Sequence, residues 1–147
     1  MSVTPHDVEL AAFNLLSDMN EFSRVYIGEI ETYTQIPAAS VFVSDVRSFE
    51  RTDEKYGRYR LLLTVLIVTG GNAPEEEKRK KTWDTVHKVI VHFMKHPTLG
   101  STIESGIALN TQVRSANVRR VEARGMSVML ATVVFEVTID MIDIETV

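Results

Sequence analysis

Residues 126–141 constrain the fold of this chain more than any other stretch, because their side chains alternate in character along the sequence. Every second residue is apolar: Met129, Ala131, Val133, Phe135, Val137, Ile139 and Met141. The other row is apolar at its start and polar towards its end. A period of two in β-branched and aromatic residues, with no Gly or Pro inside, predicts a strand with one buried face. At about three times the usual strand length of ~5–6 residues, it also predicts a bend or a large twisted sheet.

Composition indicates one soluble globular domain. The 147 residues are 44% hydrophobic and 24% charged, so we expect a single domain over residues 1–147. There is no cysteine, which excludes disulfides, thiolate catalysis and the usual structural zinc sites. The first residues lack the pattern of a signal peptide, and no apolar stretch reaches the ~18 residues of a membrane span, so we expect a protein made in the cytosol. A net charge of −4 argues against a dedicated nucleic-acid binder.

The first helix is predicted from its start signals. Thr4 can cap it, Pro5 suits the first helical position, and Asp7 stands where a capping-box carboxylate reaches back. Apolar residues then recur at helical spacing, and we expect the helix to end near residues 19–21.

A second, longer helix is predicted after the Gly70-Gly71 turn, with Asn72 as its cap and Pro97 as its stop. Three glutamates precede four basic residues, 78–81, at the spacing of i to i+3 and i to i+4 ion pairs. We interpret this charge run as a self-solvating helix start rather than a binding patch. The predicted apolar stripe consists of Trp83, Val86, Ile90, Phe93 and Met94.

Further segments predict strands and a hairpin in the first half of the chain. Residues 24–33 fit either a strand or an irregular segment, and a clearer strand starts at Val41. The charged residues 47–60 predict a solvated hairpin tip, with Gly57 in the turn or at a bulge. Residues 58–69 are apolar on both faces in their second half, which predicts a central strand.

A second long hairpin is predicted near the end of the chain. Residues 108–123 read as a strand that turns at Gly125 and pairs antiparallel with residues 126–141. Together the elements predict an α+β fold, in which a mixed, mainly antiparallel sheet with long hairpins packs against two main helices.

Residues that could carry catalysis or bind a metal are few. His92 and His96 have the i, i+4 spacing of a chelating pair, but Phe93 stands where a metalloprotease would carry its general base. Gly70-Gly71 lacks the Lys and Ser/Thr of a phosphate-binding loop, and no Gly-x-Ser-x-Gly elbow exists. We therefore expect no enzyme activity, no metal site and no cofactor.

The basic residues of the 108–124 region are the one basic cluster on a predicted strand. Successive residues of a strand point to opposite faces, so Arg119 and Arg120 are not expected to share one flat patch. No interleaved aromatic residues offer the stacking platform of a single-stranded nucleic-acid binder. Salt bridges to a neighbouring subunit and contacts with nucleic acid both stay open.

Two short motifs carry a resemblance to a known family. Residues 36–41 (Ile-Pro-Ala-Ala-Ser-Val) precede a strand, and the long helix runs into residues 97–100 (Pro-Thr-Leu-Gly) ahead of a hairpin that contains Phe135-Glu136-Val137. In this layout the chain resembles the tail terminator (tail completion) proteins of long-tailed bacteriophages, which share a Pro-Ala-x-Val step and a helix leading into Pro-Thr-Leu-Gly.

The resemblance implies a structural virion protein that is assembled in the host cytoplasm. Such a protein forms a homo-oligomeric ring, commonly a hexamer, at the head-proximal end of the tail tube. There it ends tube polymerisation and offers a surface to the neck or head-completion protein, while DNA passes through without sequence-specific binding.

A ring requires subunit contacts, and residues 47–60 and 108–124 suit them. The candidate residues for a subunit or tube interface are Arg47, Arg51, Lys55, Arg58, Arg114, Arg119, Arg120 and Arg124. The alternatives are a head–tail connector or neck adaptor, and a small-molecule-binding domain or enzyme of α+β type.

The second row of the 126–141 strand also needs a covering. Val128, Leu130 and Val134 are apolar where an exposed strand face would be polar. We expect either the apolar stripe of the second helix or a neighbouring subunit to cover this face.

Overall fold

The computed structural model describes residues 3–29, 36–71, 73–100, 106–123 and 125–143. These residues form two helices and five strands, which confirms the predicted α+β class. The elements are α1 (Pro5–Ser17), β1 (Arg24–Ile27), β2 (Ala38–Arg51), β3 (Tyr56–Thr69), α2 (Glu75–Lys95), β4 (Asn110–Ala123) and β5 (Met126–Asp143).

The strands of the described chain form one sheet in the order β1-β2-β3-β5-β4. β1 pairs parallel with β2, and the other three pairs are antiparallel, as expected for a mixed, mainly antiparallel sheet. β3 lies at the centre, which its apolar pattern on both faces predicted. The strand option for residues 24–33 is confirmed over Arg24–Ile27, and residues 30–35 lie outside the described chain.

The main core lies on one face of the sheet, here called the helix face because both α1 and α2 pack on it. The odd-numbered row of β5 is buried there from Met129 to Ile139, as predicted. Phe93 of α2 stacks on Phe135 with ring centroids 4.6 Å apart and planes 15° apart. Long-range contacts of this kind, rather than helix propensity, stabilise a helix of this length in water.

Helix α1 begins as the sequence predicts. Thr4 accepts a hydrogen bond from the Asp7 N–H, and the Asp7 carboxylate accepts one from the Thr4 N–H, which completes the capping box. The helix ends at Ser17, a few residues before the predicted end. It packs over β1 and β2.

Helix α2 differs from its prediction in both its cap and its buried stripe. Pro74 occupies the N-cap position, so the prediction of Asn72 as cap is wrong; Asn72 itself lies outside the described residues. The buried residues are Thr82, Val86, Val89 and Phe93, whereas Trp83 and Met94 are exposed. Thr82 fits the core because its hydroxyl donates to the Lys78 carbonyl and contacts the Thr69 hydroxyl.

No described helix covers the other face of the sheet, here called the open face. Val68, Val128 and Leu130 are buried on it in a small second cluster, against which Ile36 and Leu66 pack. The prediction that the α2 stripe covers this row is wrong, because α2 packs on the helix face. Strand residues and Ile36 bury the start of the row instead.

The β2–β3 hairpin is longer than its polar sequence suggests. Both strands stay paired to Arg51 and Gly57, so the solvated tip narrows to residues 52–55. Gly57 is buried in β3 beside a register shift against β5, which confirms the bulge option and not the turn option. A Cβ at this position would lie 2.6 Å from Cζ of Phe49 and 3.0 Å from the Glu50 carbonyl oxygen.

Candidate assembly interface

The basic residues predicted to form an interface lie in two regions of the sheet. Near the end from which the β2–β3 hairpin projects lie Arg47, Arg51, Lys55, Arg58 and, at the start of β4, Arg114. Arg119 and Arg120 lie towards the other end of β4, and Arg124 lies outside the described residues. The described members therefore do not form one continuous patch.

Three basic residues of the hairpin are exposed and make contacts within the hairpin. An Arg47 guanidinium nitrogen lies 3.7 Å from a carboxylate oxygen of Asp45. Arg51 donates a hydrogen bond to the Glu54 carbonyl at 3.2 Å, and Lys55 lies in the turn. Exposed ion pairs of this kind contribute little to stability, so these side chains are available to a partner.

Arg58 and Arg114 are instead held by β5. The Nε and a terminal nitrogen of Arg58 donate to the two carboxylate oxygens of Asp140, both at 3.3 Å and partly buried. Arg114 lies on the open face, where its Nε is 3.4 Å from a carboxylate oxygen of Glu136. Arg58 is therefore held in an ion pair within the chain, whereas the Arg114 side chain is 55% exposed beside Glu136.

Arg119 and Arg120 point to opposite faces, as predicted from strand geometry. The register of β4 on β5 places Arg119 on the open face and Arg120 on the helix face. Arg120 donates a hydrogen bond of 2.7 Å to Glu122. This hydrogen bond raises the pKa of Arg120, and the charges of Glu122 and Glu75 add to the shift.

Helix α2 runs alongside β4 in the opposite direction. Lys78 near its start lines a cleft together with Gly125 and Ser127, just beyond the end of β4, and the Thr111 hydroxyl near the start of β4 donates to the Pro97 carbonyl at 2.9 Å. On the opposite flank of α2, the His92 ring contacts the Leu15 carbonyl of α1 at 3.1 Å. The flank of α2 that faces away from α1 therefore points towards the β4 edge of the sheet.

Apolar residues of that flank and of the helix face of β4 are here called the side patch. At helical spacing the flank carries Trp83, Ile90 and Met94, of which Trp83 is 40% and Met94 61% exposed. The helix face of β4 contributes partly buried Ala116 and, 39% exposed, Val113. Exposed apolar residues that lie near one another typically mark a contact surface.

A second apolar patch, here called the hairpin patch, lies on β2 at the far side of the sheet. It consists of Val46 and Phe49, which are 45% and 48% exposed. Their partners on β3 are Leu61 and Tyr59, so the side chains of Val46 and Phe49 point to the helix face. They lie on a part of that face that the described helices leave exposed. The Phe49 ring packs on Tyr59 with centroids 4.9 Å apart.

Two strand edges carry these apolar residues. Among the described strands, β4 is at the edge of the sheet over its whole length. β2 is covered by β1 only over residues 38–41, and the Glu9 carboxylate then accepts the Val43 N–H at 2.8 Å. No described strand pairs with residues 44–51 on that side. Open edges of this length are ready to pair with another chain.

Comparison with known proteins supports the fold. No family model matches the chain, and no curated protein matches it. Among solved structures, the chain is similar to one in a structure described as the virion of a native gene transfer agent (GTA) particle, with a TM-score of 0.51 and 14% identity. The match covers 86% of this chain and 84% of that chain. This chain therefore shares its fold with a protein of a gene transfer agent virion.

Two histidines near the end of α2, His92 and His96, bond to backbone carbonyls. His92 bonds to the Leu15 carbonyl, and Nδ1 of His96 bonds to the His92 carbonyl at 2.9 Å. Burial lowers the pKa of His92, and the neighbouring His96 lowers it further. Within the described residues, no three His, Cys, Asp or Glu side chains are placed to hold a metal ion.

One open cleft bears on the alternative of a small-molecule site. It has a volume of about 570 Å³ and lies where the start of β5 meets the segment after β3. Its described lining holds one charged side chain, Lys78, together with Ile36, Val128 and several glycines. A ligand site usually combines an apolar pocket with several convergent polar groups, which this described lining does not provide.

Neither apolar surface was predicted from the sequence. Trp83 and Met94 were assigned to the core, and Phe49 was part of a segment interpreted as polar. One signal was available: the predicted α2 stripe spans more than one face of a helix, since residues 83 and 94 stand about 80–100° from residue 93 at 100° per residue.

No helix described in this chain is both long and apolar enough to cross a membrane.

Proposed function

We propose that this chain is a structural virion protein that forms a ring, and that it acts as a tail terminator at the head-proximal end of a phage tail tube. The observation that carries the proposal is the fold, which is similar over most of its length to that of a chain in a gene transfer agent virion. The motifs at residues 36–41 and 97–100 support the tail terminator assignment within that class.

The distribution of free edges supports a ring. The open part of β2 and the edge of β4 lie on opposite sides of one sheet, so a copy can contact a different surface on each neighbour. Contacts of this heterologous kind generate closed rings when the rotation between copies closes. A ring subunit of this type needs surfaces rather than an active site, and we propose no catalytic role.

The partners proposed for the ring are the tail tube protein on one side and the neck or head-completion protein on the other. DNA would pass through the ring. A net charge of −4 suits such a channel, because a strongly basic lumen would retain the phosphate backbone.

The solution oligomer tests the ring directly. Light scattering over a range of protein concentrations, with and without tail tube protein, should give an assembly of about six subunits. Negative-stain images should show rings. A monomer at the highest concentration, with tube protein present, would contradict the proposal.

The position in the virion tests the tail terminator role separately. Labelled protein should bind at the end of isolated tail tubes and block their further growth. Binding to the portal side instead would indicate a head–tail connector or neck adaptor.

A further inference from the structure

The two free strand edges match in direction and height. Because β2, β3, β5 and β4 alternate in direction, β4 runs antiparallel to β2. Val46 stands in one row across the sheet with Leu61, Val137 and Thr111. When two copies are placed side by side in the same orientation and in this register, residues 44–48 of one copy come next to residues 110–113 of β4 in the other, and the two sheets diverge beyond this point because β1 occupies the edge at residues 38–41.

The apolar surfaces match on the helix face. Val46, in the row of Thr111, would lie between Val113 and Leu109 of the neighbour, and Phe49, in the row of Ile139, would lie level with Leu109. All four are at least 39% exposed within one copy. Pairing the edges would remove this area from water, which favours association by roughly 25 cal/mol per Å² of apolar surface.

The charges match on the open face. Asp45 stands in the row of Leu62, Glu136 and Gln112, and its side chain is 53% exposed. Arg114 reaches Glu136 in the same row. A neighbour's Asp45 would therefore lie at the height of Arg114, where opposite charges on adjacent strands are stabilising.

We infer that residues 44–48 of one copy add as an antiparallel strand to the start of β4 in the next copy, so that the sheet continues from subunit to subunit. The inference rests on the proposed ring and names the surface that builds it. The contact is heterologous, since each copy uses β2 towards one neighbour and β4 towards the other.

The charge of β4 disfavours the main alternative, in which β4 pairs with β4 of a second copy. Its charged residues are Arg114, Arg119, Arg120 and Glu122. Antiparallel self-pairing centred on Asn117 would place Arg114 of each copy opposite Arg120 of the other, which brings like charges together. β1 also limits the heterologous contact, because it covers residues 38–41 and leaves the Arg119 end of β4 outside the pairing.

Cysteine cross-linking tests the contact, because the natural sequence has no cysteine. The variants are Arg47→Cys, Gln112→Cys and the double variant, all at exposed positions. A bismaleimide with a spacer of about 10 Å spans an error of two or three residues in the pairing, at ~3.3 Å per residue. Leu10→Cys is the control partner, because Leu10 is 40% exposed on α1, on the same β2 side of the molecule as Arg47, and head-to-tail pairing keeps the β2 sides of neighbouring copies apart.

The expected products follow from head-to-tail pairing. A mixture of Arg47→Cys and Gln112→Cys gives covalent dimers, each variant alone gives none, and the double variant gives a ladder up to the full ring. The mixture of Arg47→Cys and Leu10→Cys gives no dimer.

Two results would overturn the inference, and a third would overturn the ring as well. A dimer from Gln112→Cys alone would show self-pairing of β4. An intact native oligomer without cross-links in the mixture would show that the ring uses another surface, and the proposed function would stand. A monomer by light scattering would reject both.

Discussion

Single residues decide how the β2–β3 hairpin closes. Gly57 lies under the Phe49 ring, and this close approach is what a β-carbon would disturb. Phe49 in turn packs on Tyr59 and so stays in place although it is half exposed. Phe49 therefore forms an apolar contact although it lies in a charged stretch of the sequence.

Gly57→Ala should destabilise the folded monomer by about 1–3 kcal/mol, because the new methyl group would overlap the Phe49 ring and press on the Glu50 carbonyl. Urea denaturation measures the change. In a Phe49→Ala background the same substitution should cost less, and an equal cost in both backgrounds would contradict the proposed steric cause.

Helices α1 and α2 contact each other through a hydrogen bond of His92. The two helices share the helix face, and the hydrogen bond between His92 and the Leu15 carbonyl joins α2 to the end of α1. His96 from α2, Asp18 at the end of α1, and Lys95 are the charged or titratable groups that influence His92. Burial holds its pKa below the ordinary value of 6.5.

Acidification should therefore destabilise the helix pair. Because the folded state lowers the pKa of His92, stability is complete above pH 6.5 and is lost as the pH falls from 6.5 through the lower folded value. The free energy of unfolding, measured from pH 7.5 to 5, should fall less steeply in His92→Gln than in the natural protein. His87→Gln, at an exposed position on the same helix, is the matched control and should keep the natural slope.

The whole molecule has two different sides at the two edges of its sheet. One side carries the hairpin patch and Asp45, and the other carries the side patch and Arg114. If a ring forms through them, the charges on the two sides become partners although they lie far apart within one copy.

Asp45→Arg should weaken the oligomer about two- to fivefold per contact, since it replaces an attraction to Arg114 with a repulsion of about 0.5–1 kcal/mol. Sedimentation equilibrium measures the dissociation constant. Adding Arg114→Asp should restore part of the affinity, whereas Arg119→Asp alone should leave it within twofold of the natural value. An equal loss from Arg119→Asp would place the contact elsewhere on β4.

The sequence by itself determined the local features of the fold. The capping box at Thr4 and Asp7 follows from hydrogen bonds within four residues, and the buried row from Met129 to Ile139 follows from the alternation of apolar side chains. The sequence left Gly57 in a turn or at a bulge, and only the pairing of β3 with β5 showed the bulge. The opposite directions of Arg119 and Arg120 follow from the strand period alone.

Only the tertiary structure decided which surfaces stay open. Periodicity shows that the apolar residues of α2 span more than one side of the helix, but residues distant in sequence decide which side is buried. Phe93 is buried because its ring stacks on Phe135. The hydrogen bond of His92 to α1 orients α2 so that Trp83 and Met94 face the β4 edge. The sequence therefore predicted only the charged residues of the candidate interface. Its apolar residues could not be predicted, because their exposure depends on where α2 packs.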